Sequence, residues 1–239
     1  MNKIKNNIFR FKKFEIAQDS FVMKVGTDGV LLGALTNCIN VDSILDIGTG
    51  TGLIALMLAQ KSNAKIDCID INENAINLAN YNISISQWNS RIKTYHTSLQ
   101  NFKPEYKYDL IVSNPPYFST DILAPDKYRA LARHTTELTL QELVTNSIRL
   151  LNENGCINII YPCQQAKELE NIALNSGLFV KSRVFILPRK DSLPVRTITE
   201  LTKDKCFDIY ISEIIIENES RHSYTEQYIN LTKDYYIKF

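Results

Sequence analysis

The stretch ILDIGTGTGLIALMLA, residues 44–59, constrains this chain more than any other. SILDI (43–47) is a short apolar run of buried-strand type. Gly48, Gly50 and Gly52 then alternate through a turn, and GLIALMLAQK (52–61) reads as a helix. The same alternation continues downstream. KIDCIDI (65–71) reads as a strand and ENAINLANYNI (73–83) as a helix with Asn72 at its N-cap. RIKTY (91–95) and YDLIV (108–112) are strands. Thr139 and Glu142 have capping-box spacing before a helix whose Leu140, Leu143, Val144, Ile148 and Leu151 share one face. GCINIIY (155–161) and a helix from about 164 to 176 follow. Apolar strands alternating with helices predict an α/β fold, a doubly wound, mainly parallel sheet of seven strands covered on both faces. VKSRVFIL (180–187) and CFDIYISEIII (206–216) are expected to pair antiparallel as an edge hairpin. Ligands of such sheets bind at the carboxyl ends of the strands, where strand order reverses.

The glycine turn sits at that edge. Glycines there let backbone approach a ligand without Cβ clashes, and a helix N-terminus offers it free N–H groups. Asp46 opens the turn. Asp70 ends the second strand, where a carboxylate can accept from both ribose hydroxyls of a nucleoside. Residues 50–55 also satisfy G-x-G-x-x-A, so a nicotinamide dinucleotide competes, and a glycine turn with no ligand is the bland alternative.

SNPPYF (113–118) ends the strand expected beside the first. A planar exocyclic amine is a poor nucleophile because its lone pair is delocalised into the ring. Acceptors on its two N–H bonds pull it toward tetrahedral geometry and stabilise developing positive charge. The Asn114 side-chain oxygen and the Pro115 carbonyl are those acceptors, and Pro115 and Pro116 stiffen the corner. Tyr117 offers a face on which a base can stack, worth about 1–3 kcal/mol. A proline-stiffened loop with an exposed tyrosine is the structural alternative.

Taken together, Asp46 to Gly52 with Asp70 resembles the S-adenosylmethionine loop of Rossmann-like methyltransferases. Asn114-Pro115-Pro116-Tyr117 is similar to the signature of those that act on planar nitrogens: adenine N6, cytosine N4, guanine N2 or the glutamine amide. A release-factor glutamine methyltransferase is the principal enzymatic alternative. With the glycine loop beginning at residue 46, its preceding helical domain is expected to be missing. At 239 residues the chain leaves little room for a DNA target-recognition domain or a duplicated rRNA-type domain. A non-catalytic module holding RNA and cofactor is the other alternative, and it would not require the Asn114 acceptors.

The whole chain resembles the bacterial valine-tRNA methyltransferases that modify N6 of adenine 37. The likeness is carried by residues 9–34, 45–60, 108–118 and 223–239. It implies one methyltransferase domain over 1–239, with 1–40 as an extension beside the cofactor. It places Lys24 and Asp28 near the methionine end of S-adenosylmethionine; Asp28 as a helix cap is the competing expectation. It also implies that Ser98, where relatives often have Asp, or the Leu99 backbone, meets the cofactor's adenine.

The formal charge of +1 gives no global attraction to RNA, so any basic surface must be local. Residues 1–24 carry six Lys or Arg against two acids. Lys127, Arg129, Arg133 and His134 follow the corner, and Arg189, Lys190 and Arg196 surround two prolines. Of these, segments 1–24 and 126–136 are the candidate RNA arms, Arg189 and Lys190 are further candidate RNA contacts, and each charge run has a solvated surface as its bland alternative. Five cysteines without a CxxC pair, and with no His at ligand spacing, read as buried thiols in a reducing compartment, and no metal is expected. No apolar h-region or membrane-length run is present, so a soluble cytoplasmic monomer is expected.

Overall fold

The structure, a computed structural model, describes residues 7–116 and 138–239. A small hairpin comes first: β1 (Ile8–Arg10) pairs antiparallel with β2 (Glu15–Ala17). Helix α1 (Thr27–Leu35) follows. Then β3 (Ser43–Ile47), α2 (Leu53–Lys61), β4 (Lys65–Asp70), α3 (Glu73–Ser84), β5 (Ile92–His96) and β6 (Tyr108–Ser113) alternate. Helix α4 (Leu140–Ile148), β7 (Leu151–Pro162), α5 (Ala166–Asn175), β8 (Phe179–Leu187), β9 (Arg196–Thr202), β10 (Tyr210–Ile215) and α6 (Glu226–Thr232) complete the described elements.

The main sheet has eight strands in the order β10-β8-β9-β7-β6-β3-β4-β5. Strand order reverses between β3 and β6, so the strand that leads into the glycine turn and the NPP-bearing strand are parallel neighbours. Two expectations change. The strands at 180–187 and 206–216 do pair, but in parallel. The antiparallel partner of β8, and of β7, is β9. That strand was not read from the sequence, and it raises the count from seven to eight. Its composition, RTITELT, is polar, yet Thr197 and Thr199 are fully buried and the Thr199 hydroxyl meets the Tyr161 hydroxyl at 2.6 Å. Central pairing and that hydrogen bond bury a segment whose hydrophobicity alone would not.

Both faces of the sheet carry core. On one, α2 is buried along Leu53 to Ala59 because α1 packs over it. An all-apolar helix needs such cover. The approach is close: a Cβ at Gly33 would lie 2.7 Å from the Met57 sulfur. A second cluster of buried residues includes Leu143, Val144, Leu169, Ile172 and Ile157 on α4, α5 and β7. The expected caps are present. Asn72 accepts from the Asn74 N–H, and Thr139 and Glu142 form a reciprocal capping box. Phe9, Phe11, Phe14 and Tyr236 form an aromatic group that joins the first hairpin to the chain end, with Phe11 bridged to Tyr236.

Candidate functional site

The β3–α2 turn is built by hydrogen bonds that aim backbone outward. Gly48 and Thr49 N–H donate to the Ile69 carbonyl at 2.9 and 3.1 Å, and Gly52 N–H donates to Thr49. Gly48 is left-handed at φ +72°, and a Cβ there would meet nothing within 4 Å, so this face of the turn opens into space. Gly52, at φ +80°, serves packing instead. A Cβ there would sit 3.5 Å from Ala79, so the glycine lets α3 close against the turn.

Asp70 reaches back from the end of β4. One of its oxygens accepts from Gly50 N–H at 3.0 Å and the other from Asn72 N–H at 2.9 Å. The carboxylate is therefore oriented by main chain, and each oxygen retains acceptor capacity for a ligand. Asp46 is fully buried and does not line the cleft. It accepts from the Thr49 hydroxyl at 2.7 Å. Burial pushes its carboxyl up to about 7, with the Asp70 charge adding a smaller push against the Thr49 and Ala55 hydrogen bonds.

These groups border a cleft of about 770 Å³ along the carboxyl edge, within the range of small-molecule sites. Gly48, Gly50 and Asp70 line it, as do Lys24 and Asp28 from the N-terminal segment, Ser98 and Leu99 after β5, and Asn114 and Pro115 after β6. Gly52 does not. The two sequence motifs are thus brought together. The Ser113 hydroxyl ties their strands by donating to the Ile47 carbonyl at 3.0 Å. Helix α1 closes on the corner: a Cβ at Gly29 would lie 4.0 Å from the Asn114 side-chain nitrogen. Asp28 lies in the first turn of α1, whose N-cap is Gly26, so it is not the cap. Instead it accepts from Arg196 Nε at 2.9 Å.

Tyr117, Lys127, Arg129, Arg133 and His134 lie outside the described residues. Arg189 and Lys190 are not lining residues of the cleft. They border a second, open cavity of about 850 Å³ with Glu217 and Asn218. Among the described residues, no group of three or more His, Cys, Asp or Glu is placed to hold a metal, and no helix is long and apolar enough to cross a membrane.

Sequence reasoning missed two residues that position the site. Asn82 is fully buried, accepts from Ala17 N–H and donates to the Ala17 and Thr51 carbonyls, so it ties β2 and the glycine turn to α3. Its signal was a polar residue on the apolar stripe of a helix. Arg149 donates to the Phe102 carbonyl at 2.8 Å and to the Leu99 carbonyl, which holds the Ser98–Leu99 wall. A lone arginine after a helix carried no such signal. The structure also places exposed Phe21, Met23 and Ile71 at the cleft lip.

The fold and site define a Rossmann-like methyltransferase. A family model, the methyltransferase small domain, matches residues 23–176. A predicted O-methyltransferase from Agrobacterium tumefaciens is similar in fold, with a TM-score of 0.65 at 16% identity over 87% of this chain and 96% of that one. A ribosomal protein L11 methylase from Lactobacillus delbrueckii has a TM-score of 0.57 at 15% identity, over 82% and 100%. In sequence, the tRNA1(Val) (adenine(37)-N6)-methyltransferase of Parabacteroides distasonis is 44% identical over 98% of this chain and 99% of its own. That of Trichodesmium erythraeum is 40% identical over 98% and 99%. The chain belongs to the tRNA1(Val) (adenine(37)-N6)-methyltransferase family.

Proposed function

We propose that this protein transfers a methyl group from S-adenosylmethionine to N6 of adenine 37 in a valine tRNA. The observation that carries the reading is the meeting of the two motifs. The glycine turn with Asp70 and the Asn114 corner end neighbouring parallel strands and line one cleft. Relatives of the same length that bear this name support the choice of base and RNA.

The residues present fit the cofactor. The open face at Gly48 admits a ligand against backbone, and Asp70 offers a pre-oriented carboxylate to two vicinal hydroxyls. Lys24 lines the cleft and would meet the cofactor's carboxylate, and Ser98 and Leu99 would border the adenine. When bound, S-adenosylmethionine supplies an electrophilic methyl group on a sulfonium. The chain's own contribution is positioning and electrostatics. The Asn114 oxygen and the Pro115 carbonyl would accept the two N–H bonds of the target amine, strengthening as its nitrogen gains positive charge. Pro115 and Pro116 fix their φ angles, so the acceptors barely reorganise. Tyr117 would hold the extruded base by stacking, which offsets part of the few kcal/mol lost on unstacking it from the anticodon loop. No strong base is needed, because the ammonium-like product loses its proton readily to water. Asp46 serves the site from within, holding the turn through Thr49. Lys127, Arg129, Arg133, His134, Arg189 and Lys190 are the proposed phosphate contacts.

Nucleoside mass spectrometry of tRNA from cells with and without the protein tests the reading. Loss of N6-methyladenosine from a valine tRNA is expected. Intact tRNA modification with loss of methylation on a release-factor glutamine would overturn it.

A further inference from the structure

We infer that Glu142 is the acceptor for the exocyclic amine of the cofactor's adenine, and so the residue by which this cleft selects adenine over a 6-oxo purine. The inference rests on the cofactor reading above. A purine amine taken out of water needs an acceptor, or its N–H groups are left unpaired at a cost. With the ribose at Asp70, the base would lie against the part of the cleft lined by Ile71, Asn72 and residues 97–100. Ser98 brings only a hydroxyl to the end of β5, and that oxygen already accepts from Asn101 N–H at 3.3 Å.

Three carboxylates line the cleft among the described residues: Asp28, Asp70 and Glu142. Asp28 is committed to Arg196, on the α1 side beside the Asn114 corner. Asp70 is at the ribose. Glu142 lines the cleft beside Gln100, on the side of the 97–100 segment. Helix α4 carries it there, Leu138 just before the Thr139 cap lines the same wall, and Arg149 at the other end of α4 holds the Leu99 and Phe102 carbonyls. The helix and the adenine wall are therefore one unit.

The carboxylate is held in place before any ligand arrives. One oxygen accepts from the Thr139 N–H at 3.0 Å and the Thr139 hydroxyl at 2.9 Å, and the nearby Gln100 side chain adds a smaller push toward the charged form. These bonds keep it below the usual glutamate range, so it is ionised at neutral pH and accepts only. A carboxylate has about four lone-pair sites, which leaves capacity for an incoming N–H. A 6-oxo purine would instead turn a carbonyl oxygen toward this charge.

Calorimetric binding of S-adenosylhomocysteine and its 6-oxo (inosine) analogue tests this without turnover. Wild-type protein is expected to prefer the adenine form by roughly 10²-fold or more, as sites built to pair a polar group do. Glu142→Gln keeps the capping box, and its amide can donate to the 6-oxo group, so the preference should fall at least about tenfold. Thr139→Ala removes one tether of the carboxylate but keeps the carboxylate and its bond from the residue-139 N–H, so it should lower the preference less than Glu142→Gln does. An unchanged preference in Glu142→Gln, with the adenine form still bound, overturns the assignment alone. Wild-type protein that binds neither form overturns the cofactor reading and this assignment with it.

Discussion

The two halves of the cleft are made rigid by different means. The donor half, around Gly48 to Thr51, is held by a network. Asp70, Asn82 and the Ile69 carbonyl each bind turn backbone, and Asp46 supports it through Thr49. The acceptor half, at Asn114 to Pro116, is held by covalent restraint: two proline rings, with the Ser113 tie to Ile47 at its root. A network loses strength one bond at a time and couples to stability. A proline corner keeps its shape whatever its side chains do. Changes in the donor half should therefore appear as affinity and stability, and changes in the acceptor half as rate.

The largest test of this contrast is Asn114→Ala. It should lower methyl transfer roughly 10³-fold, about 4 kcal/mol, while S-adenosylhomocysteine binding by calorimetry changes little. Equal loss of both would erase the distinction. Asp46→Asn probes the network by pH. The folded carboxyl titrates at about 7 against an ordinary 3.8. Its contribution to stability is therefore fully present below about pH 4 and is lost as pH rises through about 7. The integrated loss is of order 4 kcal/mol. The variant should show a flatter denaturation free energy between those limits, and an unaltered pH profile would contradict the assignment.

Asn82→Ala should follow at about 2–3 kcal/mol of stability in denaturant melts, since it strands Ala17 N–H and two carbonyls. It should also weaken cofactor binding, because Thr51 is released. Normal affinity in a destabilised Asn82→Ala would detach the network from the site. Asp70→Ala should weaken S-adenosylhomocysteine by about 2 kcal/mol, roughly 30-fold; an unchanged titration removes it from the ribose. The smallest effect belongs outside both halves. Neutralising Arg129 and Arg133 should reduce the salt slope of tRNA binding by about 2, and an identical slope would exclude that segment from the RNA.

Local pattern carried much of this molecule. The strand–glycine–helix unit, the Asn72 cap and the Thr139–Glu142 capping box follow from nearest-neighbour physics, and each stands where the residues say. Strand β9 did not, because a threonine-rich segment reads as loop until its partners on both sides are known. Asp28 likewise read as a cap or a ligand, and the fold gave it Arg196, 168 residues away.

Residue chemistry alone determined the sheet class, the two motifs and the kinds of atoms they offer, since periodicity and backbone restriction act within a few residues. Only the tertiary structure decided which carboxylate faces the cleft, which supports it from inside, and how Asn82 and Arg149 join distant segments. Those outcomes depend on burial and on hydrogen bonds between parts of the chain that no local pattern relates.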